Sequence, residues 1–373
     1  MLSALNRVVA GLLSLLVLLL AFAVSAEQVK QMHTQAALVP NQSAEEREVA
    51  ASSALAQVLV RMSGSVDVLN APAIERLLQR PEAYLESFHY ETSEELIDYR
   101  GQPVQAARLV LKFSGSALEK ALRNAQQPVW PANRPSSLVW LVAQEAGGVQ
   151  VINPAEDELL DRFLTRAATN VGLPVALPLL DLQDQMAVSA ADLWALDQEA
   201  IRTASRRYAV DAVLVGRYSE TSSGQWMASW LFEHKSKQQL FDSEGTSREE
   251  MIETGLQRVA TYLSGLYGVV ASDMPGNALV AKIDGVDVFA DYVQALEYLN
   301  RLAIVGHVGL LSLEGDVMTV SLFVEGDDSV LMDTLALDRK LNHIEDLATQ
   351  GTVPQYRMGS INHPLKFEWL GGQ

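Results

Sequence analysis

Three short apolar runs, Leu138–Val142, Val175–Leu180 and Ala212–Tyr218, constrain this chain more than any other feature. A run without polar alternation belongs to a strand buried on both faces, as in a parallel sheet. Between the runs lie helical stretches. Ala155–Val171 places Leu160, Phe163, Leu164 and Ala167 on one face and stops at Gly172, and a second helix spans Asp197–Tyr208. Strands alternating with helices at this spacing predict parallel crossovers. The pattern then changes. Trp226–Glu233 and Gln239–Glu244 read as an antiparallel meander on the sheet edge, closed by an amphipathic helix over Arg248–Tyr267. The middle of the chain is therefore expected to be α/β, a central parallel or mixed sheet with helices on both faces.

The flanks read differently. A strand over Gln28–Val39 ends at Pro40, and Ser43 with Glu46 has the spacing of a capping box. Ala51, Leu55, Val58, Leu59 and Met62 form a helical stripe that stops near Gly64. A second helical stretch, Ala73–Phe88, is broken at Pro81. Strands Glu95–Tyr99 and Gln105–Phe113 follow, joined by Arg100-Gly101-Gln102-Pro103, and then a short helix Ala117–Ala125. Beyond the turn-rich stretch Ser272–Asn277 the same order recurs: strand Leu279–Ile283, helix Phe289–Leu302, strands Val305–Leu313 and Val317–Val324, helix Ser329–Lys340. Two smaller α+β units of βαββα order thus flank the central module, with the proline-rich stretch Gln126–Pro135 as the first boundary. The expected division is a signal segment over 1–26, a unit over 27–127, the central unit over 128–272, a unit over 273–345 and a C-terminal extension over 346–373.

The first 26 residues carry one basic residue, Arg7, an apolar run over 8–24, and Ser25-Ala26 before Glu27. That is the order of a secretory signal cleaved after Ala26, which predicts a periplasmic mature protein. The alternative is an inner-membrane anchor formed by residues 8–24. The chain has no cysteine. Lipidation near the cleavage point, disulfides, thiol catalysis and thiolate metal sites are excluded together. A formal net charge of −18 opposes nucleic acid and charge-driven binding to an anionic membrane.

No nucleophile elbow, S-x-x-K, H-E-x-x-H, phosphate loop or calcium loop occurs, and the histidines at 33, 89, 234, 307, 343 and 363 never fall three to five apart. No catalytic residue, metal site or cofactor is expected. One constellation has chemical interest. Asp181 and Asp184 follow the second apolar run, where open α/β sheets bind ligands; Asp192 and Trp194 share the same connection, and Arg206, Arg207 and Tyr208 precede the third run. Carboxylates, a guanidinium and aromatics around one crevice suit a small polar ligand. The competing reading is that the aspartates cap helices and pair with the arginines. Trp226 and Trp230, four apart on a strand, face one side, with core packing as the default.

Trp130-Pro-Ala-Asn-Arg-Pro135 leading into Leu138-Val-Trp-Leu141, then Leu180-Asp-Leu-Gln-Asp184, Asp192-Leu-Trp194, Ala204-Ser-Arg-Arg-Tyr208 and Val213-Leu-Val-Gly216 with Trp226 and Trp230, resemble the secreted proteobacterial family called domain of unknown function twenty-sixty-six. The resemblance implies a Gram-negative envelope protein and brings no established activity or catalytic residue. The middle unit is also similar, more loosely, to the amino-terminal domain of the Tol translocation protein and to the curli-secretion and penicillin-binding-protein-activator family. Those domains bind other envelope proteins. The lipidated cysteine of the activators and the propeller of the Tol protein are missing here, so their specific partners do not carry over. The resulting expectation is a non-enzymatic adaptor or assembly factor for an unknown envelope protein, against the alternative of a small polar-ligand receptor or enzyme using the crevice around Asp181, Asp184 and Arg206.

Amino-terminal sequencing of the protein recovered from the periplasmic fraction is expected to begin at Glu27. An intact Met1 start in the membrane fraction would support the anchor instead.

Overall fold

The computed structural model describes residues 31–270, 277–325, 328–344 and 358–371. The signal segment, its cleavage point and the apolar run over 8–24 lie outside the described residues. The first sheet is built from β1 (Thr34–Val39), β2 (Leu85–Tyr99) and β3 (Gln102–Phe113), with helices α1 (Ala44–Ser63), α2 (Pro72–Leu78) and α3 (Gly115–Asn124). Ser43 caps α1 by accepting from the Glu46 amide, and Gly64 closes it at φ +77. A Cβ at Gly64 would stand 2.4 Å from the Trp130 ring, so both the left-handed turn and the close approach require glycine. The helical stretch expected over Ala73–Phe88 ends earlier. The chain leaves α2 at Leu78, makes one 3-10 turn over Pro81–Tyr84 and is a strand from Leu85. Phe88 and Tyr90 pair with Leu111 and Leu109, so the period-2 match to β3 overrides the local helical pattern. The hairpin turns on Arg100 and Gly101, both at positive φ, as a two-residue type I′ loop demands.

The central sheet comprises β4 (Ser137–Glu145), β5 (Gly148–Val151), β6 (Val175–Ala176), β7 (Ala212–Glu220), β8 (Trp226–His234) and β9 (Lys237–Gly245), in the order β5-β4-β7-β8-β9 with β6 also on β4. β4 runs parallel to β6 and β7, and β8 and β9 add antiparallel. The mixed α/β expectation holds. The second apolar run, however, supplies only a two-residue strand, because Pro178 cannot donate to a ladder and Leu180 adopts φ +52. α4 (Glu158–Val171) and α8 (Arg248–Tyr267) cover one face; α5 (Leu182–Ala187), α6 (Ala190–Ala195) and α7 (Gln198–Ser205) lie toward the other. The expected helix over Asp197–Tyr208 is α7 followed by a 3-10 turn at Arg206–Tyr208. Trp230 is fully buried and donates to Ser243, while Trp226 is half-buried at the rim.

In the third sheet, β10 (Asn277–Asp284), β11 (Val305–Glu314), β12 (Val317–Val324), β13 (Leu341–His343) and β14 (Leu365–Trp369) lie in the order β11-β12-β10-β14-β13, with α9 (Phe289–Arg301) and α10 (Asp328–Asp338). The first strand of this unit pairs with its third and the third with its second, as in β1-β3-β2, so the two flanking units share pairing as well as element order. The stretch expected to be a C-terminal extension contains β14, which pairs parallel to β10 inside the sheet. Its alternating buried residues Leu365, Phe367 and Trp369 complete the core of that unit.

The proline-rich segment 126–135 is irregular, as its prolines require, but it is a buried seam and no exposed linker. Trp130 and Arg134 are buried, and one apolar core runs from α1 and β3 through Trp130 to α4 and α8. Arg134 donates from Nε to the Pro131 carbonyl (2.9 Å), from Nη1 to Gly172 (2.7 Å) and from Nη2 to Arg61 and Trp130 (2.8 and 2.9 Å), with its guanidinium 4.1 Å from the Trp130 ring. Arg61, on the last turn of α1, donates to the carbonyls of Thr169 (2.8 Å) and Thr34 (2.9 Å) and to the Gln35 side chain.

Arg134→Ala would orphan carbonyls from three segments and open a cavity, so chemical denaturation is expected to show a loss of at least about 3 kcal/mol. Arg162→Ala, which removes an exposed pair with Glu158, should stay within about 0.5 kcal/mol of the parent. Equal losses in the two variants would contradict the seam.

Candidate functional site

After Gly172 ends α4, the chain runs beside β4 as the parallel strand β6 and emerges as the loop 177–181 that enters α5. Asp181 is the cap of α5, its Oδ1 accepting from the Asp184 amide at 3.1 Å. Asp184, one turn in, points back beneath the loop and is only 1% exposed. Its Oδ2 accepts from the Leu180 amide (2.9 Å) and the Tyr208 hydroxyl, and its Oδ1 accepts from Arg207 Nη1 (3.1 Å). The Tyr208 oxygen in turn accepts from the Leu179 amide at 2.9 Å. Arg207 grips Asp181 with both nitrogens, at 2.7 and 2.9 Å. A buried carboxylate survives only when paired and hydrogen-bonded, and every lone-pair direction of Asp184 that these donors reach is used.

The electrostatics follow from this geometry. The Arg207 guanidinium, followed by the Asp184 amide, holds the Asp181 carboxyl down to about 2. Burial, followed by the hydrogen bond to Asp184, pushes the Tyr208 phenol up to about 12. Arg207 is raised above its ordinary value by Asp181.

Asp181, Asp184, Asp192, Trp194, Arg206 and Tyr208, the crevice expected from the sequence, do not all line one site. Asp181, Asp184 and Tyr208 converge. Asp192 closes a capping box with Ser189 at the start of α6, its carboxyl lowered by the Ser189 hydroxyl and amide. Trp194 is half-buried under Arg217, whose guanidinium lies 5.9 Å from the ring and donates to the Trp194 carbonyl. Arg206 is exposed and lines a separate depression with Arg202 and Lys235; the guanidinium that meets the aspartates is that of Arg207. Helical periodicity does not separate the two arginines, because α7 ends at Ser205 and the following 3-10 turn resets the rotation.

The network fixes a strained backbone. Leu180 is held in the left-handed region by its own amide on Asp184 and by Gln185 Nε2 on its carbonyl (2.9 Å). A branched residue pays about 1 kcal/mol or more for that conformation, which persists only where the surroundings dictate it. The consequence is the presentation of Leu179, Leu182 and Met186, which are 68%, 71% and 80% exposed. Sequence reasoning missed these three because it placed Leu179 in a buried strand and had no helix at 182–187; Pro178 was the available signal. Among the described residues, no three His, Asp or Glu side chains are grouped to hold a metal ion, and no helix is long and apolar enough to cross a membrane.

Comparison with known proteins adds little chemistry. A family model described as a domain of unknown function (DUF8605) matches residues 26–131, the first flanking unit and the first part of the seam. No curated protein matches. A solved structure titled "Crystal structure of uncharacterized protein" aligns over 36% of this chain and 88% of its own, at 14% identity and a TM-score of 0.15.

Asp184→Ala should destabilise by about 3 kcal/mol, since it strands the Tyr208 hydroxyl, the Leu180 amide and part of Arg207 together. Asp181 has the opposite profile: it is exposed, and Asp181→Asn keeps its cap on α5 while removing its charge. Its contribution is complete above its unfolded value near 3.8 and is lost as pH falls toward 2. Melting curves of the parent and Asp181→Asn are therefore expected to differ above pH 4 and to converge near pH 2. A constant difference across that range would contradict the ion pair.

Proposed function

We propose that this chain is a non-catalytic docking protein of the cell envelope, which engages a protein partner through Leu179, Leu182 and Met186. The observation that carries the reading is the combination of exposed apolar side chains with a strained loop that a buried polar network holds in place. Large apolar side chains kept in water by rigid backbone mark an interaction surface, and each contributes roughly 1.5–3 kcal/mol when a partner buries it. The rigidity matters because a preordered prong loses little entropy on docking. A net charge of −18 disfavours an anionic bilayer as the apolar acceptor, which leaves an apolar groove on another protein.

The polar groups beneath the loop support the same reading. Asp181, Asp184, Arg207 and Tyr208 spend their hydrogen-bonding capacity on one another and on the loop backbone. A receptor for a small polar ligand would keep some of these groups free to face the ligand. The signal-like first 26 residues and the resemblance to secreted envelope families supply the compartment in this reading.

The test replaces the apolar prong without touching its support. Leu182→Glu with Met186→Glu should leave the melting temperature within about two degrees of the parent, since surface substitutions rarely exceed 0.5 kcal/mol. A photoreactive residue at Gln183 should crosslink one envelope protein in intact cells in the parent background and lose that product in the double variant. Retention of the same crosslink at the same yield would overturn the reading.

A further inference from the structure

The edge of the third sheet carries a second feature, on a different surface from the α5 prong. β11 stands at one end of the strand order and, among the described residues, has a ladder only with β12. An edge strand leaves alternate N–H and C=O groups open to another chain, and proteins ordinarily blunt such edges with charge, brevity or cover. The two flanking units supply an internal comparison, because β2 and β11 hold the same place in the same pairing order. β2 carries Glu86, Glu91, Glu94, Glu95 and Asp98 along its length. β11 has no carboxylate, lysine or arginine from Val305 to Leu313, and its one acid is Glu314 at the last position. The opposite edge of the third sheet, β13, is blunted by being only three residues long.

Side-chain placement along β11 points the same way. Leu310 and Leu313 are three apart, a spacing that sends side chains of a regular strand to opposite faces. A bulge at Leu311 removes that offset. Leu310 pairs with Val320 and Leu313 with Met318, both buried and two apart on β12, so the two leucines share the helix-covered face of the sheet. The cover runs out along the strand: Val308 is buried, whereas Leu310 and Leu313 are 45% and 48% exposed. Val288 and Phe289, where α9 begins, are also exposed, at the end of the sheet where Ile283, Met318 and Leu313 lie in line. The charge at that end has one sign. Glu314, Asp316 and Asp287 are exposed and have no ion-pair partner among the described residues. A second copy of the chain would bring the same carboxylates and a like net charge of −18, which opposes self-pairing.

We infer that β11 takes an extended segment of a partner protein as an added strand, whose alternate apolar side chains lie on Leu310 and Leu313 and whose lysine or arginine meets Glu314 and the neighbouring carboxylates. Main-chain hydrogen bonds supply affinity in this mode of recognition, and the alternating side chains and the charge supply selectivity.

Fluorescence anisotropy of a dye-labelled, amidated Lys-Val-Thr-Val-Thr-Val-Thr-Lys peptide against the full mature chain tests it. Saturable binding is expected. N-methylation of the valines in one peptide and of the threonines in another removes backbone donors from one edge of the strand at a time. One of the two should bind at least tenfold more weakly and the other as the unmodified peptide does. Leu310→Thr with Leu313→Thr, which keeps strand propensity, should also weaken binding at least tenfold while the melting temperature stays within about four degrees of the parent. Glu314→Gln with Asp316→Asn, which leaves the leucines in place, should weaken it at least threefold. Leu182→Glu with Meta186→Glu should bind the peptide as the parent does, so that the prong and the edge are judged separately. Absence of saturable binding, equal binding by both N-methylated peptides, or unchanged binding by the leucine variant would overturn the inference. A dimer of the chain that the same leucine substitutions dissociate would overturn it in favour of a second copy.

Discussion

Two buried guanidiniums set the frame on which everything else in this protein is hung. Arg61 and Arg134 sit side by side in the seam between the first flanking unit and the central sheet, and they donate to carbonyl oxygens, one side-chain amide and a thioether. Burial lowers both below the ordinary arginine value, Arg61 to about 10. What makes the arrangement tolerable is the carboxyl end of α4. Thr169 shares its carbonyl between the Gly172 amide and Arg61, and Gly172 gives its carbonyl to Arg134, both at the negative end of the helix dipole. Cation and helix end therefore complete each other, and α1, the proline-rich seam and α4 lock at one point.

That lock has a consequence for the functional surface. Gly172, whose carbonyl Arg134 holds, is followed by Leu173 and Pro174, and the Pro174 carbonyl accepts from the Ser137 amide at the head of β4. Four residues, the two of β6 and then Leu177 and Pro178, deliver the chain to Leu179. The position from which the apolar prong leaves the sheet is thus fixed upstream by the arginine seam and downstream by Asp184 and Tyr208. Both supports are buried polar groups with their partners supplied, the arrangement that gives a single geometry at some expense of stability.

Much of this was legible in the sequence, and the failures share a cause. Periodicity found β4, β7, β8, α4 and α8, because each pairs an apolar stripe with a capping or stop residue such as Gly172. It also found the βαββα order at both ends, which extends to strand pairing. Local pattern misjudged what depends on a distant partner. Leu85–Phe88 looks helical until β3 is beside it, 177–180 looks like a strand until Asp184 pulls Leu180 into the left-handed region, and 126–135 looks like a linker until Arg134 is seen to reach Gly172. At the site, the sequence groups Asp181, Asp184 and Tyr208, which the structure brings together, but it does not tell Arg206 from Arg207, and the guanidinium that meets the aspartates is that of Arg207. Exposed Leu182 and Met186 were invisible, since solvent exposure of an apolar residue is a tertiary fact that composition does not encode.

The central claim is that the backbone beneath the apolar prong is rigid although the side chains above it stand in water. Hydrogen exchange resolved to single amides tests it most directly. The account predicts that Leu179 and Leu180, whose amides donate to Tyr208 and Asp184, exchange slowly in the parent, and that Leu180 loses its protection in Asp184→Ala. Exchange of both amides in the parent at the rate of a free surface loop would contradict it.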